Sequence, residues 1–272
     1  MRRTTSEPPS STAPRVSGDT GTVSRIASLL RLAAELPGPF SLKDMAAASG
    51  LPVPTTYRLL DLLVKEGLLA HDGARRGYRI GTELYRIGSL VRARAPTSDL
   101  IVPILSKAVT EVGETCHFAQ YLPVQLAVMF DSRVEAAHQL DFRWEFHKPL
   151  SLVWGASGRT ILAYLPEEKV TQALAAEDKL ATTSPPPSRR DLDKALQDIR
   201  RLGYGFTRGQ RVPGAVSILA PVFDEQNRIF GALGFTLPEQ RFTDDRLNDL
   251  VRVAKKSANE LSAALGADPR NC

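Results

Sequence analysis

Cys116-His117 is the adjacent pair in this chain that most suggests nucleophilic chemistry, a thiol beside a base. Residues 115–121 read as a strand, and neighbours on a strand point to opposite faces, so the two side chains do not meet. A lone cysteine there reads as a small buried hydrophobe. The second cysteine, Cys272, is the last residue, and neither belongs to a C-x-x-C pattern. The four histidines form no H-x-x-x-H pair. No Gly-rich phosphate loop or H-E-x-x-H motif occurs, and no carboxylate pair stands out as an acid/base couple. These readings predict a protein that is not an enzyme and holds no metal, no cofactor and no disulfide, in keeping with a reducing cytoplasm.

A second set of residues suits a polyanion. Thr55, Thr56 and Arg58 stand near the start of a predicted helix, where short hydroxyls meet phosphates or thymine methyls and Arg grips guanine or phosphate. Arg75 and Arg76 lie in the turn Asp72-Gly73-Ala74-Arg75-Arg76-Gly77 between two short strands, where two guanidinium groups suit a phosphate backbone or a minor groove. The charge distribution agrees. Residues 1–96 carry 14 Lys+Arg against 8 Asp+Glu, whereas residues 97–272 carry 21 against 22. The basic excess belongs to the first third of the chain, the footprint expected of a nucleic-acid-binding module.

The elements that must position these residues follow from periodicity. Residues 23–36 place Val23, Ile26, Ala27, Leu30 and Ala33 at helical spacing, and Pro37-Gly38-Pro39 stops that helix. Ser41 and Asp44 form a capping box for the next helix, which Gly50 ends. Leu51-Pro52-Val53-Pro54 turns into a helix over residues 55–65, with Tyr57, Leu60 and Val64 inward and Thr55, Arg58, Asp61 and Lys65 outward. Leu68-Leu69-Ala70 and Tyr78-Arg79-Ile80 are the strands of a hairpin. The whole is a winged helix-turn-helix over residues 22–81. Residues 1–21, rich in Ser, Thr, Pro and Gly, read as a disordered tail without a secretory signal's apolar core. No apolar run approaches the ~20 residues of a membrane span.

Residues 82–96 read as a linker helix, with Leu84, Ile87, Leu90 and Val91 on one face that needs a partner helix. Residues 97–266 form a second domain, followed by a tail over 267–272. It opens with a helix over 99–112, then strands at 115–121, 125–131 and 134–140, with Ser132-Arg133 as a turn. Helices over 156–165, 167–180 and 189–202 follow. Strands at 204–208, 216–223 and 230–237 and a helix over 245–265 close it. Grouped strands and grouped helices predict an α+β fold with one antiparallel sheet.

On these residues the chain resembles the IclR (isocitrate lyase regulator) family of bacterial transcription factors. The N-terminal pattern is Gly50-Leu51-Pro52, then Thr55 or Thr56, Arg58-Leu59-Leu60 and Leu63, followed by Gly67-Leu68-Leu69 and Tyr78-Arg79-Ile80-Gly81. The C-terminal segments are Gly155-Ala156-Ser157-Gly158-Arg159, Gly203-Tyr204-Gly205 and the run from Pro213 to Asp224. Many members carry a basic residue after Gly-Leu-Pro. This chain has Val53 and Pro54, which shifts the expected contacts onto Thr55, Thr56 and Arg58. The resemblance implies DNA contacts that also include Ser41 and Tyr57, a GAF-like effector domain, and a regulator of a catabolic operon. Its partners would be double-stranded DNA with a pseudo-palindromic operator, a small-molecule effector, and further copies of the chain in a dimer or a dimer of dimers.

The resemblance also implies effector contacts on the sheet face at Phe118, Met129, Ala156, Ser157, Thr207, Ser217, Gly234 and Thr236. Some members have Asp, Cys and Ser where this chain has Thr207, Ser217 and Gly234, which suggests a different effector, an aromatic or partly apolar acid. Arg143, Trp144 and His147 precede Pro149 and could hold an aromatic carboxylate, or form a solvated or subunit-contacting loop. An alternative for the whole chain is a GAF-like ligand-binding or catalytic protein whose helix-turn-helix contacts another protein.

Overall fold

A computed structural model describes residues 21–36, 38–73, 77–94, 97–137, 146–177 and 187–268. The chain divides into two units, Met1–Ala95 and Pro96–Cys272.

The first unit runs α1 (Thr22–Glu35), α2 (Leu42–Ser49), α3 (Val53–Lys65), β1 (Leu69–Asp72), β2 (Gly77–Ile80) and α4 (Thr82–Arg94). The capping box at α2 forms: Asp44 N–H donates to Ser41 Oγ at 3.2 Å, and Ser41 N–H donates to the Asp44 carboxylate at 2.9 Å. Helix α3 begins two residues before the predicted position, with Pro52 as its N-cap. Leu29, Met45, Leu59, Leu60 and Leu63 pack with Leu69, Tyr78 and Phe40 as one core. Each such buried side chain contributes about 1.5–3 kcal/mol. Phe40 exchanges two backbone hydrogen bonds with Tyr78, at 2.8 and 2.9 Å, a single-residue bridge beside the β1–β2 hairpin that periodicity did not reveal.

The second unit contains α5 (Thr97–Val112), β3 (Cys116–Leu122), β4 (Ala127–Val134), β5 (Leu150–Ser151), α6 (Gly155–Leu162), α7 (Glu167–Glu177), α8 (Arg189–Leu202), β6 (Gly205–Arg208), β7 (Ala215–Phe223), β8 (Ile229–Pro238) and α9 (Asp244–Ala264). One antiparallel sheet has the order β5-β4-β3-β8-β7-β6. Its alternating residues serve two cores. Phe118, Ile218 and Phe235 pack with Ile101 and Leu105 of α5 and Leu250 and Val253 of α9. Ala119, Val128, Phe130 and Leu219 pack with Ile161 and Leu162 of α6 and Leu192 and Leu196 of α8. The fold is α+β.

Two expectations fail around β4. Ser132-Arg133 is no turn, since β4 continues through it to Val134, and residues 135–137 are not strand. The polar residues sit beside a β-bulge, where Asp131 is the extra residue between the pairs Phe118↔Ser132 and Ala119↔Phe130. The two-residue edge strand β5 was too short to read.

Candidate functional site

The outward face of α3 is the first site. Pro54, Tyr57, Arg58 and Lys65 are exposed, and Thr55 is half-buried. Lys65 pairs with Asp61 at 2.8 Å, so α3's cations differ: Arg58 makes no ion pair among the described residues. Tyr57, expected inward, is 55% exposed, because Leu59, Leu60 and Leu63 already fill the inner face. Thr56, expected at the DNA, is fully buried, and its hydroxyl donates to Pro52 O at 3.1 Å. The bond ties its side chain back onto the first turn of α3, whose carbonyl at Pro52 also takes the Thr56 N–H at 2.9 Å. The Ser41 hydroxyl is engaged with Asp44 as the α2 cap. Arg79 on β2 is a further exposed cation that the sequence reading did not single out. Arg75 and Arg76 lie outside the described residues.

The second site is a narrow recess on the sheet face that carries α6. Its walls are His117 and Phe130 from the strands, Gly155, Ala156 and Ser157 from the start of α6, Thr207, Ser217 and Thr236 from β6 to β8, and Gln210 and Arg211 from the β6–β7 loop. Of the predicted effector contacts, it gathers Ala156, Ser157, Thr207, Ser217 and Thr236. Phe118 and Met129 are not there. Each is one residue out of register, and the side chains that face the recess are their neighbours His117 and Phe130. Gly234 pairs with His117 and with Leu219. A Cβ on it would lie 2.0 Å from Ile218 O, so close backbone approach demands glycine there.

The hydroxyls are ordered. Ala156 N–H donates to Thr207 Oγ1 at 3.1 Å, and the Ser217 and Thr236 hydroxyls share a hydrogen bond of 2.8 Å. Helix α6 has no side-chain N-cap, and Gly155 opens it at φ 74°, a conformation glycine accepts. Thr207 thus meets the first turn of α6 from β6, and the helix start brings a partial positive charge to the recess wall.

Arg211 crosses this helix start. Its Nη2 donates to Ser151 O at 2.7 Å and to Trp154 O at 2.5 Å. Burial pushes its pKa down to about 10, against the pull of nearby Glu177, so it remains a cation at neutral pH. Glu177 itself is buried and accepts a 2.8 Å hydrogen bond from Trp154 Nε1. Arg211 Nε is enclosed and has no acceptor among the described residues. A buried donor left so costs about 1–3 kcal/mol. No sequence pattern marked Arg211, because only the path of the β6–β7 loop brings it to α6. Of the loop proposed to hold an aromatic acid, Arg143 and Trp144 lie outside the described residues, and His147 stands in a left-handed turn with φ 58°. Cys116 is buried, which pushes its thiol pKa up, and no group of three or more potential metal ligands occurs among the described residues.

A winged helix carrying an exposed polar helix face, followed by an antiparallel-sheet unit with a polar recess, defines a DNA-binding regulator with an effector domain. The comparisons with known proteins agree. The model of the bacterial transcriptional regulator IclR C-terminal domain matches residues 94–263, and that of the IclR helix-turn-helix domain matches residues 22–73. The chain belongs to the IclR family of bacterial transcriptional regulators. It is 28% identical over 261 residues to the transcriptional repressor IclR of Escherichia coli, covering 96% of this chain and 95% of that one. An IclR-type transcriptional regulator from Silicibacter shares the fold with a TM-score of 0.81 at 24% identity, covering 91% and 97% of the two chains. An IclR homolog from Microbacterium hydrocarbonoxydans, solved with 4-hydroxybenzoate, matches with a TM-score of 0.69 at 18% identity over 90% of this chain and 99% of that one.

Proposed function

We propose that this regulator acts without catalysis, as a homodimer or a dimer of dimers, and reads a pseudo-palindromic operator with α3 and the wing of each protomer. The direct readers are Thr55, Tyr57 and Arg58, with Arg75 and Arg76 at the wing. Ser41 stays in this set through the placement of the α2 start, and Thr56 acts by holding the first turn of α3. Two-fold symmetry in the protein matches two half-sites in the DNA. Exposed apolar residues of α4, Tyr85 at 67%, Ile87 at 39% and Leu90 at 43%, support pairing of protomers through this helix.

The effector is a small organic acid, aromatic or partly apolar, held in the recess. The observation that carries this is the meeting of a helix start, a cation and three ordered hydroxyls beside Phe130 and Leu219. Binding changes DNA affinity only to the extent that the acid prefers one protomer geometry over another.

The test combines a gel shift on the DNA upstream of the protein's own gene with a melting-temperature panel. Wild type should bind that DNA, and benzoate or 4-hydroxybenzoate should raise the melting temperature while glyoxylate and pyruvate do not. No shift by wild type opposes the regulator reading of this promoter. Stabilisation by glyoxylate or pyruvate alone removes the aromatic assignment.

A further inference from the structure

The recess contains no aspartate or glutamate among its described lining residues, and its one permanently charged side chain is Arg211. That guanidinium is held in place on one side. Its Nη2 is used by the Ser151 and Trp154 carbonyls, which pins the plane, and its enclosed Nε has no acceptor among the described residues. A Cβ on Gly155 would lie 3.2 Å from that Nε and 3.5 Å from Arg211 Cβ, so the absent side chain is what lets the arginine lie across the start of α6. Two sources of positive potential therefore converge on the same wall, the Arg211 guanidinium and the dipole at the start of α6. Glu177 is close enough to act on Arg211, but its carboxylate is bonded to Trp154 Nε1, and no Arg211–Glu177 ion pair occurs among the described residues.

We infer that Arg211 is the specificity-determining residue for the effector's charge: the effector's carboxylate pairs with the Arg211 guanidinium at the start of α6. The assignment rests on the recess being the effector site. The Ser217–Thr236 hydroxyl pair and the Thr207 hydroxyl contact the rest of the molecule and are sequence-neutral with respect to charge. A neutral amide of the same shape offers an oxygen but no negative charge, and its NH2 group would face N–H donors. Arg211 thus rejects amides and esters of an acid it accepts. The lowered pKa of Arg211 fits this arrangement, because burial disfavours the cation until an anion enters.

The experiment is isothermal titration of the full chain at pH 7.5 with 4-hydroxybenzoate and with 4-hydroxybenzamide, and with pyruvate and its amide. Wild type, Arg211→Gln and Arg211→Lys are compared. Wild type should bind an acid at least tenfold more tightly than its amide. Arg211→Gln should lose at least tenfold in acid affinity and lose the preference over the amide, and Arg211→Lys should recover part of both. A cooperative melt of each unliganded variant shows that it is folded. The comparison of acid with amide on wild type needs no variant. Equal binding of acid and amide by wild type, or acid binding by Arg211→Gln within twofold of wild type, overturns the role of Arg211 and leaves the recess as the effector site. Failure of wild type to bind either acid at millimolar concentration overturns the effector reading, and this assignment with it.

Discussion

Two neighbours on α3 separate reading from holding. Arg58 is exposed and makes no ion pair among the described residues, whereas Thr56 is fully buried with its hydroxyl on Pro52 O. Arg58→Ala should therefore abolish the gel shift while changing stability by less than about 0.5 kcal/mol, the usual range for a surface site. Thr56→Val keeps the shape and deletes the hydroxyl. It should cost about 1 kcal/mol of N-terminal stability in urea and leave saturable DNA binding in place. The opposite pattern, with Thr56→Val losing DNA at full stability, would return Thr56 to the DNA contacts. The same residue-scale contrast holds in the recess, where Thr207, Ser217 and Thr236 were legible from the resemblance and Arg211 was not.

At the scale of elements, the C-terminal unit has a buried ionic clamp. Glu114, 1% exposed, follows α5 and accepts from Arg241 at 2.9 Å and from Arg246 of α9 at 2.8 Å. Arg246 also donates to Val112 O at 3.0 Å, so the end of α5 and the start of α9 are tied on the face of the sheet opposite the recess. Removing one member of a buried pair strands the others. Glu114→Ala should cost about 1–3 kcal/mol, since the stranded arginines reach water, seen as an earlier urea transition of the C-terminal unit with the N-terminal transition unmoved. A loss below about 1 kcal/mol would show the clamp to be a solvated pair. Helices α2, α3 and α8 were legible because caps, prolines and periodicity act within a few residues of chain. The bulge at Asp131 and the edge strand β5 were not, since both exist only through pairing with other strands.

For the whole molecule, the charge asymmetry sets how DNA binding responds to salt. The first 96 residues have six more basic than acidic residues, and the remainder has one more acidic than basic. Each phosphate neutralised by this module releases counterions, with a slope of about −0.9 in log affinity against log salt. Operator affinity should therefore fall by at least about tenfold between 50 and 200 mM salt, while acid binding in the recess changes little over the same range. DNA affinity independent of salt would argue that the helix-turn-helix contacts another protein. No described helix is long and apolar enough to cross a membrane.

Sequence alone determined the reader, the order of most elements and the family, because those depend on local signals: the Ser41 cap, the Pro52 turn, the Leu59–Leu60–Leu63 inner face and the basic excess. It also supplied the polar positions on β6, β7 and β8. Tertiary structure decided which faces those positions share. A one-residue difference in register moves every side chain of a strand to the opposite face, which is why the recess holds His117 and Phe130 rather than Phe118 and Met129. It also decided the charge of the site, because Arg211 reaches α6 only through a loop whose path depends on contacts 57 to 60 residues away in the chain.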